Sequence, residues 1–292
     1  MAVVISRIGV SSAWGRGIDS FREGWNSGRV ALQESEELQY LPSSLAGLAP
    51  NKGFRQYLKK RKAAKLMTDS ARLALDSCGQ VLENLQTEKE DIGLFFAVGR
   101  EPSDEGEAEA ALIACIEDGR FDERRMVEEG IRLYPPLLPL KTLPNLILGH
   151  LSIHFGLQGE NAAWAGEGIQ SLIEGYWAIE EGRAEKVIVG ASDSLVDLGQ
   201  ARDLKRLGIV DAPGEAAVAF LLEKDVNGQS GLGRVSLNDS GQNVASDDIE
   251  LIQQIGYCGV VNTQLNILKS LLKGERFQAS DVTIESRLRA EI

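Results

Sequence analysis

The sequence predicts a layered α/β fold, and three observations carry that prediction. Apolar runs of strand length alternate with amphipathic helical patterns along most of the 292 residues. Hydrophobic residues make up 43% and charged residues 25% of the chain, as in ordinary globular domains. No apolar run approaches the roughly 20 residues that a bilayer-spanning helix needs.

Val3–Ile8 reads as the first strand. A long helical pattern follows from Lys59 to Leu85, with Ala71, Leu75, Cys78, Leu82 and Leu85 on one face and Thr68 or Asp69 as its cap. Ile92–Val98 is a continuous apolar run of the kind buried on both faces of a sheet. The acidic stretch from Arg100 to Arg132 is predicted helical in two pieces, split near Gly119. Pro135, Pro136 and Pro139 then punctuate the chain. Helices are expected at Asn145–Phe155, ended by Gly156, and at Gly168–Gly182, with Ile169, Leu172, Ile173, Tyr176 and Ile179 on one face. Lys186–Val189 and Glu215–Leu222 read as strands. Between Asp225 and Asp248, Gly, Asn, Ser and Asp dominate, which predicts loops around a short strand at Arg234–Leu237. Gly228, Gly231 and Gly233 fall there, and without a following helix they read as a turn and not as a phosphate loop. The last elements are a helix, Val260–Leu272, capped by Gly274, and a strand, Val282–Glu285.

Charge and cysteine content exclude several function classes. The net charge of -12 opposes binding to nucleic acid, and no membrane association is expected. Three cysteines, Cys78, Cys115 and Cys258, are too few and too scattered for a disulfide framework or a zinc ribbon. The N-terminus lacks the basic start and long apolar stretch of a signal peptide, so the cytoplasm is the expected location.

Five segments then resemble the β-ketoacyl synthases. Val4-Ile-Ser-Arg-Ile-Gly-Val-Ser-Ser-Ala-Trp-Gly15 is similar to their opening strand and turn, and Asp69-Ser-Ala-Arg-Leu-Ala-Leu75 to their first long helix. Leu143 to Gly159 resembles the helix and turn leading to their nucleophile. Glu181 to Ala191 resembles the helix end and strand that follow it, and Gly214 to Glu223 the strand closing the N-terminal half. Ile255-Gly-Tyr-Cys-Gly-Val-Val-Asn262 is similar to a late Gly-His-Thr segment. The resemblance implies a thiolase-like layered αβαβα fold. Its N-terminal half, 1–224, is near-complete, and its C-terminal half, 225–292, is abbreviated.

The family's chemistry needs a cysteine at a helix N-terminus, where the dipole and backbone amides lower the thiol pKa and hold the oxyanion. Two histidines and a lysine assist it. Anchored on Gly168, the nucleophile position falls on Ala165, in the stretch Asn161-Ala-Ala-Trp-Ala-Gly-Glu-Gly168. The Gly-His-Thr histidine position is Tyr257, and the lysine position is Ile252. The chain has two histidines, His150 and His154, both before the nucleophile turn. No catalytic residue, metal or cofactor is therefore expected.

Trp164, Ala165, Glu167, Tyr257 and Cys258 are the residues of a vestigial pocket. Each has a plainer reading: Trp164 as core, Glu167 as a helix-start acid, Cys258 as a buried inert thiol. His150 and His154 share a helix face but lack a third ligand. Arg55, Lys59, Lys60, Arg61, Lys62 and Lys65 form the one dense basic cluster, a docking surface for an acidic acyl carrier protein or a solvated face.

The resemblance implies a dimer, with itself or with an active synthase. The function expected is that of a non-catalytic, chain-length-factor-like partner of a ketosynthase. The alternatives are an acyltransferase or acyl-binding homodimer with non-standard chemistry, and a pure scaffold.

Overall fold

The computed structural model describes residues 2–88, 91–99, 105–141, 143–166, 168–225, 231–237, 248–279 and 282–288. Glu167 and Gly228 lie outside the described residues.

One large mixed sheet organises the molecule. Its strands lie in the order Arg276–Ala279, Val282–Ser286, Gly233–Leu237, Ala2–Ser12, Glu215–Asp225, Lys186–Ser194, Gly93–Val98 and Asn161–Ala165. Gly93–Val98 runs parallel to both of its neighbours, and the other pairings are antiparallel. The layered α/β arrangement expected from sequence is the one observed. Its C-terminal part is abbreviated so far that its three strands extend the first sheet, and no second large sheet forms among the described residues.

Gly93–Val98 is buried at every position, and its alternating side chains feed two cores. Phe95 and Ala97 point to the core shared with the helices Ile169–Glu180 and Asn262–Lys273. Leu94, Phe96 and Val98 point to the core shared with Asp69–Leu82 and Leu146–Phe155. Each fully buried aromatic or aliphatic side chain contributes roughly 1.5–3 kcal/mol.

The single helix predicted from Lys59 to Leu85 is two pieces, preceded by a further 3-10 turn. Gly53–Tyr57 and Arg61–Leu66 are 3-10 turns, and the α-helix begins only at Asp69. Thr68 breaks the run: its backbone is extended and its hydroxyl accepts the Ala71 N–H at 3.2 Å, which makes it an N-cap. At the other end, Arg7 of the first strand donates to the carbonyls of Val81 and Glu83 and closes the helix.

The acidic region divides at Gly119, as predicted. The divider is a small hairpin, Ile116–Glu117 with Arg120–Phe121, turned by Asp118 and Gly119 at positive φ. It joins the helix Glu105–Ala114 to a helical stretch, Glu123–Leu133. Elements not anticipated include the helices Ile18–Asn26, Leu198–Arg206 and Ile249–Ile255, the hairpin of Leu32–Glu34 with Leu45–Gly47, and the strands Asn161–Ala165 and Arg276–Ala279.

Candidate functional site

The stretch matched to the nucleophile turn is mostly strand. Asn161–Ala165 pairs in parallel with Gly93–Val98, placing Trp164 beside Ala97 and Ala165 beside Val98. The helix Ile169–Glu180 starts four residues after Ala165. Ala165, the residue that the motif match sets at the nucleophile position, is exposed at the strand end. Trp164 is half-buried and packs on Phe95, with ring centroids 5.8 Å apart.

The start of that helix is welded to the late segment around Cys258. Gly168 lies so close that a Cβ would fall 2.3 Å from the Val260 carbonyl oxygen. Its own carbonyl accepts from Gln264 Nε2 at 2.6 Å and from Ser171 Oγ at 2.9 Å. Tyr257 is held by its backbone: its N–H donates to Ala212 O at 2.7 Å, and its carbonyl accepts from Gly214 at 2.8 Å. Helix start and late segment are thus brought together.

Cys258 is fully buried. Its N–H donates to Asn262 Oδ1 at 3.1 Å, and Sγ donates to the Gly256 carbonyl at 3.4 Å. Burial first, and then the charges of Asp193 and Glu215, push its thiol well above the ordinary range. A thiol so placed is not a thiolate at neutral pH and is no nucleophile.

Two acidic residues not among the candidates above, Asp193 just past the predicted strand Lys186–Val189 and Glu215 at the start of the next, lie in the same region. Asp193 accepts the N–H groups of Ser194 at 3.0 Å and Val260 at 3.3 Å. Gly259, at φ +55°, makes room for it, since a Cβ there would sit 2.1 Å from Asp193 Oδ2. Glu215 accepts from Ser194 Oγ at 2.8 Å and from the Ala49 N–H at 3.2 Å. Burial pushes its carboxyl up to about 7, against the pull of those two hydrogen bonds. The signals for them were the paired short motifs Gly190-Ala-Ser-Asp193 and Gly214-Glu215, whose convergence is tertiary. Among the described residues of this centre there is no imidazole, and its one thiol, Cys258, is buried.

The remaining candidates lie elsewhere. Arg55, Lys59, Lys60, Arg61, Lys62 and Lys65 are all exposed and lie together on the two 3-10 turns and their junction. His150 and His154 are buried on the helix Leu146–Phe155, beside that basic segment. Among the described residues, no group of three His, Cys, Asp or Glu side chains is placed to hold a metal ion. No helix among them is long and apolar enough to cross a membrane.

Known proteins resemble this arrangement at several levels. The family model "Beta-ketoacyl synthase, N-terminal domain" matches residues 2–228. A structure described as the ishigamide ketosynthase/chain length factor is similar with a TM-score of 0.65 and 16% identity, covering 99% of both chains. A type II PKS acyl-carrier protein in complex with its ketosynthase gives 0.66 and 12%, covering 98% of this chain and 99% of that one. A β-ketoacyl synthase from Burkholderia phymatum gives 0.59 and 17%, covering 87% of this chain and 69% of that one. No curated protein sequence matches significantly. The strand–turn–helix at Ala165, its seat on the Tyr257–Gln264 segment and the family match over most of the length agree: the chain belongs to the β-ketoacyl synthase family.

Proposed function

We propose that this protein is a non-catalytic, chain-length-factor-like partner of an active ketosynthase in fatty acid or polyketide-type assembly. The observation that carries the reading is Ala165, which puts an inert methyl group at the exposed strand end leading to the helix. Tyr257 at the histidine position and a buried, protonated Cys258 agree with it. Similarity to a ketosynthase/chain length factor structure supports the class of partner.

The surface favours pairing. Asn161–Ala165 is the last strand of the sheet order, and such an edge is a template for a further strand. Elsewhere, between Glu105 and Leu133, Ile113, Phe121, Val127, Ile131 and Leu133 expose large apolar side chains. The basic cluster is the docking surface for an acidic acyl carrier protein, in line with the carrier-bound ketosynthase among the similar structures.

The test is co-expression with a ketosynthase, followed by size-exclusion chromatography and product analysis. A stable heterodimer whose product length changes with this subunit is expected. Mass spectrometry after incubation with acyl-CoA or acyl carrier protein should show no covalent acyl adduct. An adduct, or a monomer indifferent to ketosynthases, would overturn the reading.

A further inference from the structure

We infer that His150 and His154 are positioning residues that clip the basic segment Lys59–Leu66 to the helix Leu146–Phe155, and that acid opens the clip. The functional consequence rests on reading that segment as a docking surface; the clip itself does not.

The chain's two histidines lie one helical turn apart, both at least nine-tenths buried, with rings nearly parallel at 14° and centroids 6.2 Å apart. They hold opposite ends of the segment. His154 Nδ1 accepts the backbone N–H of Lys59 at 3.1 Å. His150 bonds to the backbone of Leu66. Between these points Arg61–Leu66 is a 3-10 turn, a conformation with poor hydrogen-bond geometry and little stability of its own. One more tether comes from the next helix, where Arg72 Nη2 donates to the Ala64 carbonyl at 3.3 Å.

Hydrogen bonding fixes the tautomers. A nitrogen that accepts a hydrogen bond carries no proton, so neutral His154 has its proton on Nε2. That nitrogen is a donor and cannot ligate a metal. His150 is held by a carbonyl, and its bonded nitrogen is Nδ1, because both Nε2 atoms are buried without a hydrogen-bond partner.

The surroundings oppose a positive charge. From the basic segment, Lys59 faces His154; from the helix Asp69–Leu82, Arg72 reaches the same segment, paired with Asp69. Tyr57 of the first 3-10 turn covers Phe155, the residue after His154, with rings 5.7 Å apart. Burial, then His150 and Lys59, depress the His154 pKa below its ordinary value; burial depresses His150 against the pull of Leu66. Both rings are therefore neutral at pH 7. When acid protonates His154, Nδ1 becomes an N–H that faces the Lys59 N–H. The bond is lost, and two like charges lie beside each other. The Lys59 end of the platform then comes free.

The experiment follows the Lys59 amide by hydrogen exchange and NMR in the full-length protein, from pH 7.5 to pH 4.5. His154→Asn and His154→Leu are measured in parallel. Asparagine places a carbonyl oxygen near the Nδ1 position and accepts at every pH; leucine never accepts. Protection of Lys59 should fall about tenfold with acid in the wild type, the loss of one hydrogen bond, and in step with the His154 ring shift. It should stay high in His154→Asn and low in His154→Leu. Affinity for an acyl carrier protein at pH 7.5 should drop several-fold in His154→Leu and return in His154→Asn. Protection that ignores pH in the wild type, or is equal in all three proteins, would overturn the clip. A carrier that ignores all three proteins while the amide still switches keeps the clip and removes the docking reading.

Discussion

The seam between the helix start at Ile169 and the Tyr257–Gln264 segment is closed in every direction, whereas the helical arm from Glu105 to Leu133 is open. In the seam, Gly168, Gln264, Asp193 and Cys258 meet backbone and carboxylate at hydrogen-bond distance, and no large apolar side chain is left to solvent. On the arm, Ile113, Val127 and Ile131 are each more than half exposed, Val127 at 73%. The difference separates two uses of one fold. On the proposed reading, the first region keeps the packing of a reaction centre without its reagents. The part that covers nothing within its own chain has kept its apolar surface. Packing within the chain accounts for the first, and the proposed partner would account for the second.

The largest expected effect tests the closed side. Phe95 is buried in the core beneath the helices Ile169–Glu180 and Asn262–Lys273, so Phe95→Ala should cost about 3–5 kcal/mol in urea unfolding. A cost below about 1 kcal/mol would mean that this core is loosely packed.

Glu215 gives the next effect, with a sign opposite to that of most carboxylates. Its folded pKa of about 7 lies above the unfolded value of 4.5, so the folded state holds its proton more tightly. Stability is fully present below pH 4.5 and is lost as pH rises to about 7, by something of order 3 kcal/mol. Glu215→Gln keeps the shape and removes the titration. The stability difference between the two proteins should therefore shift with pH between pH 5 and pH 8, as read from urea midpoints. A constant difference would show that Glu215 is ionised throughout.

On the open side, Val127→Glu and Ile131→Glu should change the stability of the isolated chain by no more than about 0.5 kcal/mol. The same changes should weaken dimer or ketosynthase association at least about tenfold in sedimentation experiments, since a buried unpaired charge is costly. Unaltered association would place the interface elsewhere.

The two regions also differed in how far the sequence disclosed them. Strands such as Ile92–Val98 and Glu215–Leu222 were legible because burial on both faces writes an unbroken apolar run. Asn161–Ala165 carried no such signal: Ala-Ala-Trp-Ala has weak strand propensity, and pairing with Gly93–Val98 imposes the conformation. Leu198–Arg206 escaped notice because only Gln200, Ala201 and Leu204 of its nine residues are buried. Ala165 and Tyr257 rest on motif matching, which is local. The Asp193–Val260 and Gln264–Gly168 contacts join residues 67 and 96 positions apart, and periodicity holds no record of them. The six basic residues were legible as a cluster, but the helix predicted beneath them is broken at Thr68.

The smallest structural perturbation is also the sharpest functional one. Ala165→Cys places sulfur at the position that the motif match assigns to the family's nucleophile. The site is exposed, so folding stability should change by no more than about 0.5 kcal/mol. Cys78, Cys115 and Cys258 are all buried, so iodoacetamide should modify the variant once and the parent protein not at all. Labelling shows that a thiol is available; it does not show that the thiol can condense acyl units. Condensation also needs proton transfer and oxyanion stabilisation, and the position that would supply an imidazole is Tyr257, held by its backbone between Ala212 and Gly214. The variant should accept label and still produce no elongated acyl chain from acyl and malonyl carrier substrates. If one added sulfur atom restores elongation, the centre was never dismantled, and the contrast between a closed, silent seam and an open, expectant arm fails at its first term.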